Sequence, residues 1–129
     1  MASPTSSVLL AESHHGLAEG IRSLLGTAFD AVVMVADESS MCETARRLCP
    51  QLAVVDLALA HGDICGLISR LRLCCAGVKV ILLSAHAEPA IVQAALKAGV
   101  EGLVSKREIA TELLPAVEDV LRGDRHFPR

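Results

Sequence analysis

Five short runs of mostly aliphatic residues punctuate the chain, at Val8–Ala11, Ala31–Val35, Leu52–Leu57, Val78–Leu83 and Gly102–Ser105. In most of them the apolar positions are consecutive instead of alternating, the pattern of strands covered on both faces. Between the runs the period becomes that of a helix. Leu17, Ile21, Leu24 and Leu25 share one helical face, as do Met41, Ala45, Leu48 and Cys49, and then Ile64, Leu67, Ile68, Leu71, Cys74 and Cys75. Two further faces are Ile91, Ala94, Ala95, Ala98 and Leu113, Ala116, Val117, Val120, Leu121. Gly26, Pro50, Gly77, Gly99 and Gly123 each follow a periodic stretch, where a helix stops. Pro115 breaks the last pattern unless it lies near a helix start, so the fifth helix is expected to begin near Glu112 with Thr111 as its cap. Strict β-α alternation in short units predicts an α/β domain: a doubly wound five-stranded parallel sheet with five helices in three layers.

Composition narrows the function. The sequence has 129 residues, enough for one domain with its own core. Only Phe29 and Phe127 are aromatic, so the core must be aliphatic. A formal charge of −3, with Arg46-Arg47 and Arg70 with Arg72 at predicted helix ends, offers no basic field for a phosphate backbone. This chain is therefore not expected to contact nucleic acid itself. The apolar runs are too short to span a bilayer, and Met1–Ser7 is Ser/Pro-rich with no signal-peptide pattern, which predicts no membrane partner and a cytoplasmic location. Cys42, Cys49, Cys65, Cys74 and Cys75 contain no Cys-x-x-Cys pair and are read as reduced, mostly buried small hydrophobes. His14, His15, His61 and His86 show no single-helix ligand spacing and read as neutral surface residues.

In open α/β sheets ligands bind outside the carboxyl ends of the strands. There the sequence places Glu12-Ser13 after the first strand, Asp56 at the third, Ser84-Ala85 at the fourth and Ser105-Lys106 at the fifth. Asp56 interrupts the otherwise apolar run Leu52–Ala60, where a carboxylate needs a cation or hydrogen bonds to stay charged. Ser13 alone reads better as the N-cap of the first helix. The segment His14-His-Gly-Leu-Ala-Glu-Gly20 lacks the glycine fingerprint of a dinucleotide site, which sets a small flavodoxin-like enzyme or nucleotide binder well behind.

Along essentially its whole length the sequence resembles the response-regulator receiver family of two-component systems, nearest the subfamily that precedes a LuxR-type helix-turn-helix domain. The resemblance lies in Val8-Leu-Leu-Ala-Glu-Ser-His14, Glu19-Gly-Ile-Arg-Ser-Leu-Leu25, Val54-Val-Asp-Leu57, Leu83-Ser-Ala-His86, Ala94-Ala-Leu-Lys-Ala-Gly99 and Gly102-Leu-Val-Ser-Lys106, and in the closing Val120-Leu-Arg-Gly-Asp-Arg-His-Phe127. It implies a flavodoxin-like receiver over 7–124, an extended or disordered segment over 1–6, and the start of a linker or tail over 125–129. By resemblance, Asp56 accepts a phosphoryl group from a sensor histidine kinase, Ser84 and Lys106 complete the reactive set, and Mg2+ is held by Glu12, Asp56 and the backbone carbonyl of Ala58. The same resemblance implies a signalling domain that is not an enzyme in its own right, although it assists its own phosphorylation and dephosphorylation. A homodimer is a further partner, and transcription would be regulated through a DNA-binding domain not contained in this sequence.

Four departures from the family pattern qualify these expectations. Ser13 replaces the second carboxylate after the first strand, which predicts weak Mg2+ binding and makes Ser13 a doubtful ligand. Leu103 stands where the family has a switch aromatic, so the switch pair would be Ser84 and Leu103. After Asp56 the usual Met-Pro is Leu59-Ala60, and the expected downstream Gly is Ile64, which predicts a different loop there. The alternative reading is a degenerate receiver that acts as a phosphorylation-independent interaction module.

Overall fold

The computed structural model describes residues 6–128. Five strands, β1 (Ser7–Ala11), β2 (Ala31–Val35), β3 (Leu52–Asp56), β4 (Lys79–Ser84) and β5 (Gly102–Ser105), form one parallel sheet in the order β2-β1-β3-β4-β5. Helices α1 (His15–Leu25), α2 (Glu38–Leu48), α3 (Ile64–Cys74), α4 (Pro89–Ala98) and α5 (Ile109–Arg122) fill the crossovers. The predicted architecture holds, with strand ends moved by a residue: β1 begins at Ser7, β3 stops at Asp56 and β4 runs on to Ser84. Of the segment expected to be extended or disordered, residues 1–5 lie outside the described residues. Ser6 is tied to the fold, its carbonyl accepting from the Ala31 amide at 3.0 Å.

Consecutive apolar positions are explained by two cores. On β1, Val8 and Leu10 face α1 and α5 while Leu9 and Ala11 face α2 and α3. Leu52 and Val54 against Ala53 and Val55, and Ile81 and Leu83 against Val80 and Leu82, divide in the same way. A fully buried Leu or Ile contributes roughly 2–3 kcal/mol relative to an exposed one, so burial on both faces supplies what aromatic residues usually would.

Three expectations are corrected. Helix α5 begins at Ile109, not near Glu112, and Pro115 lies in its interior. The buried face runs Ile109, Leu113, Ala116, Val117 and Val120, and a start at Glu112 would waste Ile109; Pro115 is exposed, so the carbonyl it leaves unpaired, on Thr111, lies on the solvent side. Thr111 is not the cap; its hydroxyl donates to the Glu108 carbonyl. The cysteines are not mostly buried: Cys49 and Cys65 are exposed, Cys42 and Cys74 half-buried, and Cys75 alone is buried. Cys42 and Cys74 pack at the margin of the α2–α3 core, and Cys49 and Cys65 face solvent. Ser13 does not cap α1 either. The capping position is His14, and Ser13 lies exposed in the bend before it.

Residues 124–128 fold back along the open edge of β5. The Leu103 amide donates to the His126 carbonyl at 2.9 Å and the His126 amide to the Glu101 carbonyl at 3.0 Å, a parallel bridge opposite Gly102. The His126 ring sits between two α5 carboxylates, with Nδ1 2.8 Å from Asp119 Oδ2 and Nε2 3.1 Å from Glu112 Oε2. Phe127 packs against the core on the α2–α4 side.

Candidate functional site

Parallel strands all end on the same rim, and register brings their terminal residues together: Asp56 is opposite Leu83, and Ser84 opposite Ser105. Glu12 follows β1 directly, its amide donating to the Val35 carbonyl at 3.0 Å, so its side chain is aimed by the sheet itself. Lys106 begins the short 3-10 turn after β5. The structure thus brings Asp56, Ser84 and Lys106, with Ala58 beside them, to a cleft of about 410 Å³ lined also by His14, His86 and Ile91, and Lys106 links them to the buried Glu12.

Charge organises the cleft floor. Asp56 is 2% exposed and Glu12 3%. Lys106 Nζ lies 3.0 Å from Asp56 Oδ1 and 3.2 Å from Glu12 Oε1, so one ammonium serves two buried carboxylates. The Ala58 amide donates to Asp56 Oδ1 at 3.1 Å, and the His14 amide to Glu12 Oε2 at 3.1 Å. Burial pushes the Asp56 carboxyl up, but the Ala58 amide and the Lys106 ammonium outweigh it and hold the group below the ordinary carboxylate range. One oxygen remains: Asp56 Oδ2 is buried and accepts no hydrogen bond, while Glu12 Oε1, also buried, meets only the Lys106 ammonium at 3.2 Å.

An orphaned anionic oxygen is costly without a partner, and a divalent cation is one that would satisfy Asp56 Oδ2 while also neutralising Glu12. Glu12, Asp56 and His14 each offer a ligand atom, all within 4.8 Å of one another. The residues therefore fit a hard or borderline divalent cation. The Ala58 carbonyl accepts from the His61 amide at 3.3 Å and keeps a second lone pair. After Asp56 the chain makes one 3-10 turn, Leu57–Ala60, closed by His61 at φ 47° and Gly62 at φ 87°.

The remaining positions are quieter. Ser84 is buried, and its hydroxyl donates to the His86 carbonyl while accepting from the His86 amide at 3.3 Å. Leu103 is buried in the core with Ala95 and Val100, pointing away from the rim. The sequence reading set aside the histidines, yet His14 stands at the mouth of the acidic pair. The signal was available: it follows Glu12 by two residues, at a turn where neither side chain can enter the sheet.

Residues 8–118 match the family described as the response regulator receiver domain. The chain is a response regulator receiver domain. The receiver is 33% identical over 124 residues to a Pseudomonas aeruginosa protein assigned as a transcriptional regulator, covering 95% of this chain and 60% of that one. It is 36% identical over 121 residues to the transcriptional regulatory protein UhpA of Escherichia coli, covering 90% and 59%. Among solved structures, a LuxR-family two-component response regulator from an Aurantimonas species superposes with a TM-score of 0.83 at 26% identity, covering 95% and 89%. The receiver spans about 60% of the length of these two curated relatives, and it is the receiver part of such regulators. None of the helices among the described residues is long and apolar enough to cross a membrane.

Proposed function

We propose that this receiver is switched by phosphorylation of Asp56. The observation that carries the reading is the state of that side chain: a buried carboxylate whose Oδ1 is neutralised by Lys106 and whose Oδ2 is free at the cleft. Oδ2 is the nucleophile. It attacks the phosphorus of a phosphohistidine on a sensor histidine kinase; the P–O bond forms as the P–N bond breaks, and the imidazole, already protonated on its other ring nitrogen, leaves as the neutral base. Phosphoryl transfer needs positioning and charge neutralisation more than covalent help, which is why a rigid rim of strand ends is sufficient.

Each residue then has a part. Lys106 moves from the carboxylates to a phosphoryl oxygen, as a compact ammonium on a flexible stem can. Ser84 breaks its bond to the His86 carbonyl and donates to another phosphoryl oxygen. Glu12, Asp56 and the Ala58 carbonyl would hold Mg2+, which would supply the rest of the neutralisation when bound; exposed Ser13 adds no charge, so its affinity would be low. Leu103, already buried, does not swing as an aromatic would, so the change at Ser84 passes along β5 itself. The same groups assist acquisition and loss of the phosphoryl group. The domain acts in the cytoplasm, forms a homodimer, and regulates transcription through a DNA-binding region.

The test is intact-protein mass after incubation with Mg2+ and acetyl phosphate, beside Asp56→Asn. One added phosphoryl group in the wild type and none in the variant is expected. Uptake retained in Asp56→Asn rejects Asp56 as the acceptor. Absence of an adduct with both acetyl phosphate and a phosphorylated kinase supports the degenerate module that Ser13 and Leu103 suggest.

A further inference from the structure

We propose that His14 is a ligand of the cation in this receiver, and that its imidazole makes the site select a first-row transition cation such as Mn2+ over Mg2+. The inference rests on the receiver reading and concerns which metal that same cleft takes. Three observations converge on it. A ring nitrogen of His14 lies within 4.8 Å of carboxylate oxygens from both Glu12 and Asp56. One oxygen in this cluster, Asp56 Oδ2, is buried with neither a hydrogen bond nor an ion pair, and Glu12 Oε1 is held by Lys106 alone. The His14 ring is not engaged in capping: it occupies the N-cap position of α1 with no side-chain cap bond.

The backbone prepares the ring for this part. The His14 amide donates to Glu12 Oε2 at 3.1 Å, and Nδ1 already stands 3.5 Å from the same oxygen. The ring is exposed on its far side, so it turns inward without displacing packed neighbours. In a six-coordinate site with bonds of about 2.1 Å, ligand atoms lie about 3.0 Å apart when adjacent and about 4.2 Å when opposite. A cluster 4.8 Å across needs only a small contraction to reach that size. Lys106 would vacate the space between the carboxylates, as the phosphorylated state requires of it in any case.

Ligand chemistry then decides the metal. Ser13, at the position where a second acidic ligand would add charge, is exposed in a bend. The side-chain donor that stands with Glu12 and Asp56 instead is an imidazole nitrogen of His14. Mg2+ takes hard oxygen ligands and gains little from imidazole, whereas Mn2+, Co2+ and Zn2+ accept it readily. Loss of the second acidic ligand weakens Mg2+ binding, and His14 compensates for the softer ions alone.

The experiment is titration of metal-free receiver with MnCl2, followed by the free-ion EPR signal, with MgCl2 as competitor, on wild type, His14→Ala, His15→Ala and Asp56→Asn. The wild type should hold Mn2+ more tightly than Mg2+. His14→Ala should weaken Mn2+ by about tenfold or more, the effect that even an outer-shell partner has, with Mg2+ changed by less than about twofold. Pulsed EPR of the bound Mn2+ should show a nitrogen coupling that disappears in His14→Ala and persists in His15→Ala. Asp56-dependent binding of both cations with no effect of His14→Ala overturns the assignment of His14 and leaves the receiver reading standing. Binding indifferent to Asp56→Asn, or absent for both cations, overturns the cleft as the metal site altogether.

Discussion

Lys106 is the counter-ion of two buried carboxylates, and removing its charge should expose that arrangement. Lys106→Met keeps most of the apolar stem and leaves Asp56 and Glu12, 2% and 3% exposed, facing each other without a cation. At an effective dielectric of about 20, a charge pair 3.0 Å apart is worth about 5 kcal/mol. Desolvation offsets part of that, and breaking one side of a buried pair leaves a net loss of about 3 kcal/mol. With a urea slope near 1.5 kcal/mol/M, the midpoint should fall by about 2 M. Unfolding is followed by far-UV circular dichroism in metal-free buffer, since the chain has no Trp or Tyr. Adding Asp56→Asn to Lys106→Met should recover about 2 kcal/mol, because one of the two stranded charges is gone. The pH dependence carries a further sign. The folded Asp56 carboxyl is held below its ordinary value, so in the wild type the stability it contributes is complete above the ordinary carboxylate range and is lost as pH falls through the folded value. In Lys106→Met that contribution is gone, so the gap between variant and wild type should narrow as pH falls below the ordinary carboxylate range and close only below the folded wild-type value. A gap of equal size at neutral and acid pH, or equal losses in the single and double variants, would refute the argument and reduce Lys106 to a packing residue.

Two more outcomes test other parts of the structure. Pro115→Ala should raise stability by about 1–2 kcal/mol in the same urea assay, the interior-proline penalty less the entropy the proline removes from the unfolded chain; a loss would mean that α5 depends on the proline. The His126 ring holds the Asp119 carboxyl below its ordinary value, so that contact stabilises the C-terminal strap above the carboxylate range and is lost as pH falls through the folded value. Protection factors at the Leu103 and His126 amides, corrected for the intrinsic pH dependence of exchange, should fall at acid pH in the wild type and be low and less sensitive to pH in His126→Ala.

How much of this was readable beforehand follows from what each signal depends on. The strands were legible because both faces of β1, β3 and β4 are buried, which writes consecutive apolar residues into the chain. Glu12, Asp56, Ser84 and Lys106 were legible because topology alone sends parallel strand ends to one rim. Pro115 misled because its cost depends on which side of α5 it occupies, and the solvent side tolerates the unpaired Thr111 carbonyl. The cysteines misled because free thiols are commonly buried, whereas here Cys42 and Cys74 pack at the margin of the α2–α3 core and Cys49 and Cys65 face solvent. His14 escaped notice because its partners are a neighbour in sequence and a carboxylate more than forty residues away. The strap was invisible because its hydrogen bonds to β5 are made by main-chain atoms, and Asp124-Arg125-His126 reads as polar tail.

That strap changes how the sheet meets other molecules. A parallel sheet has two edges, each a row of unpaired main-chain groups on which a foreign strand can grow. Here the β5 edge is occupied from within at Gly102, while among the described residues β2 pairs only with β1. Assembly by strand addition, wanted or not, is therefore directed to one side of the receiver.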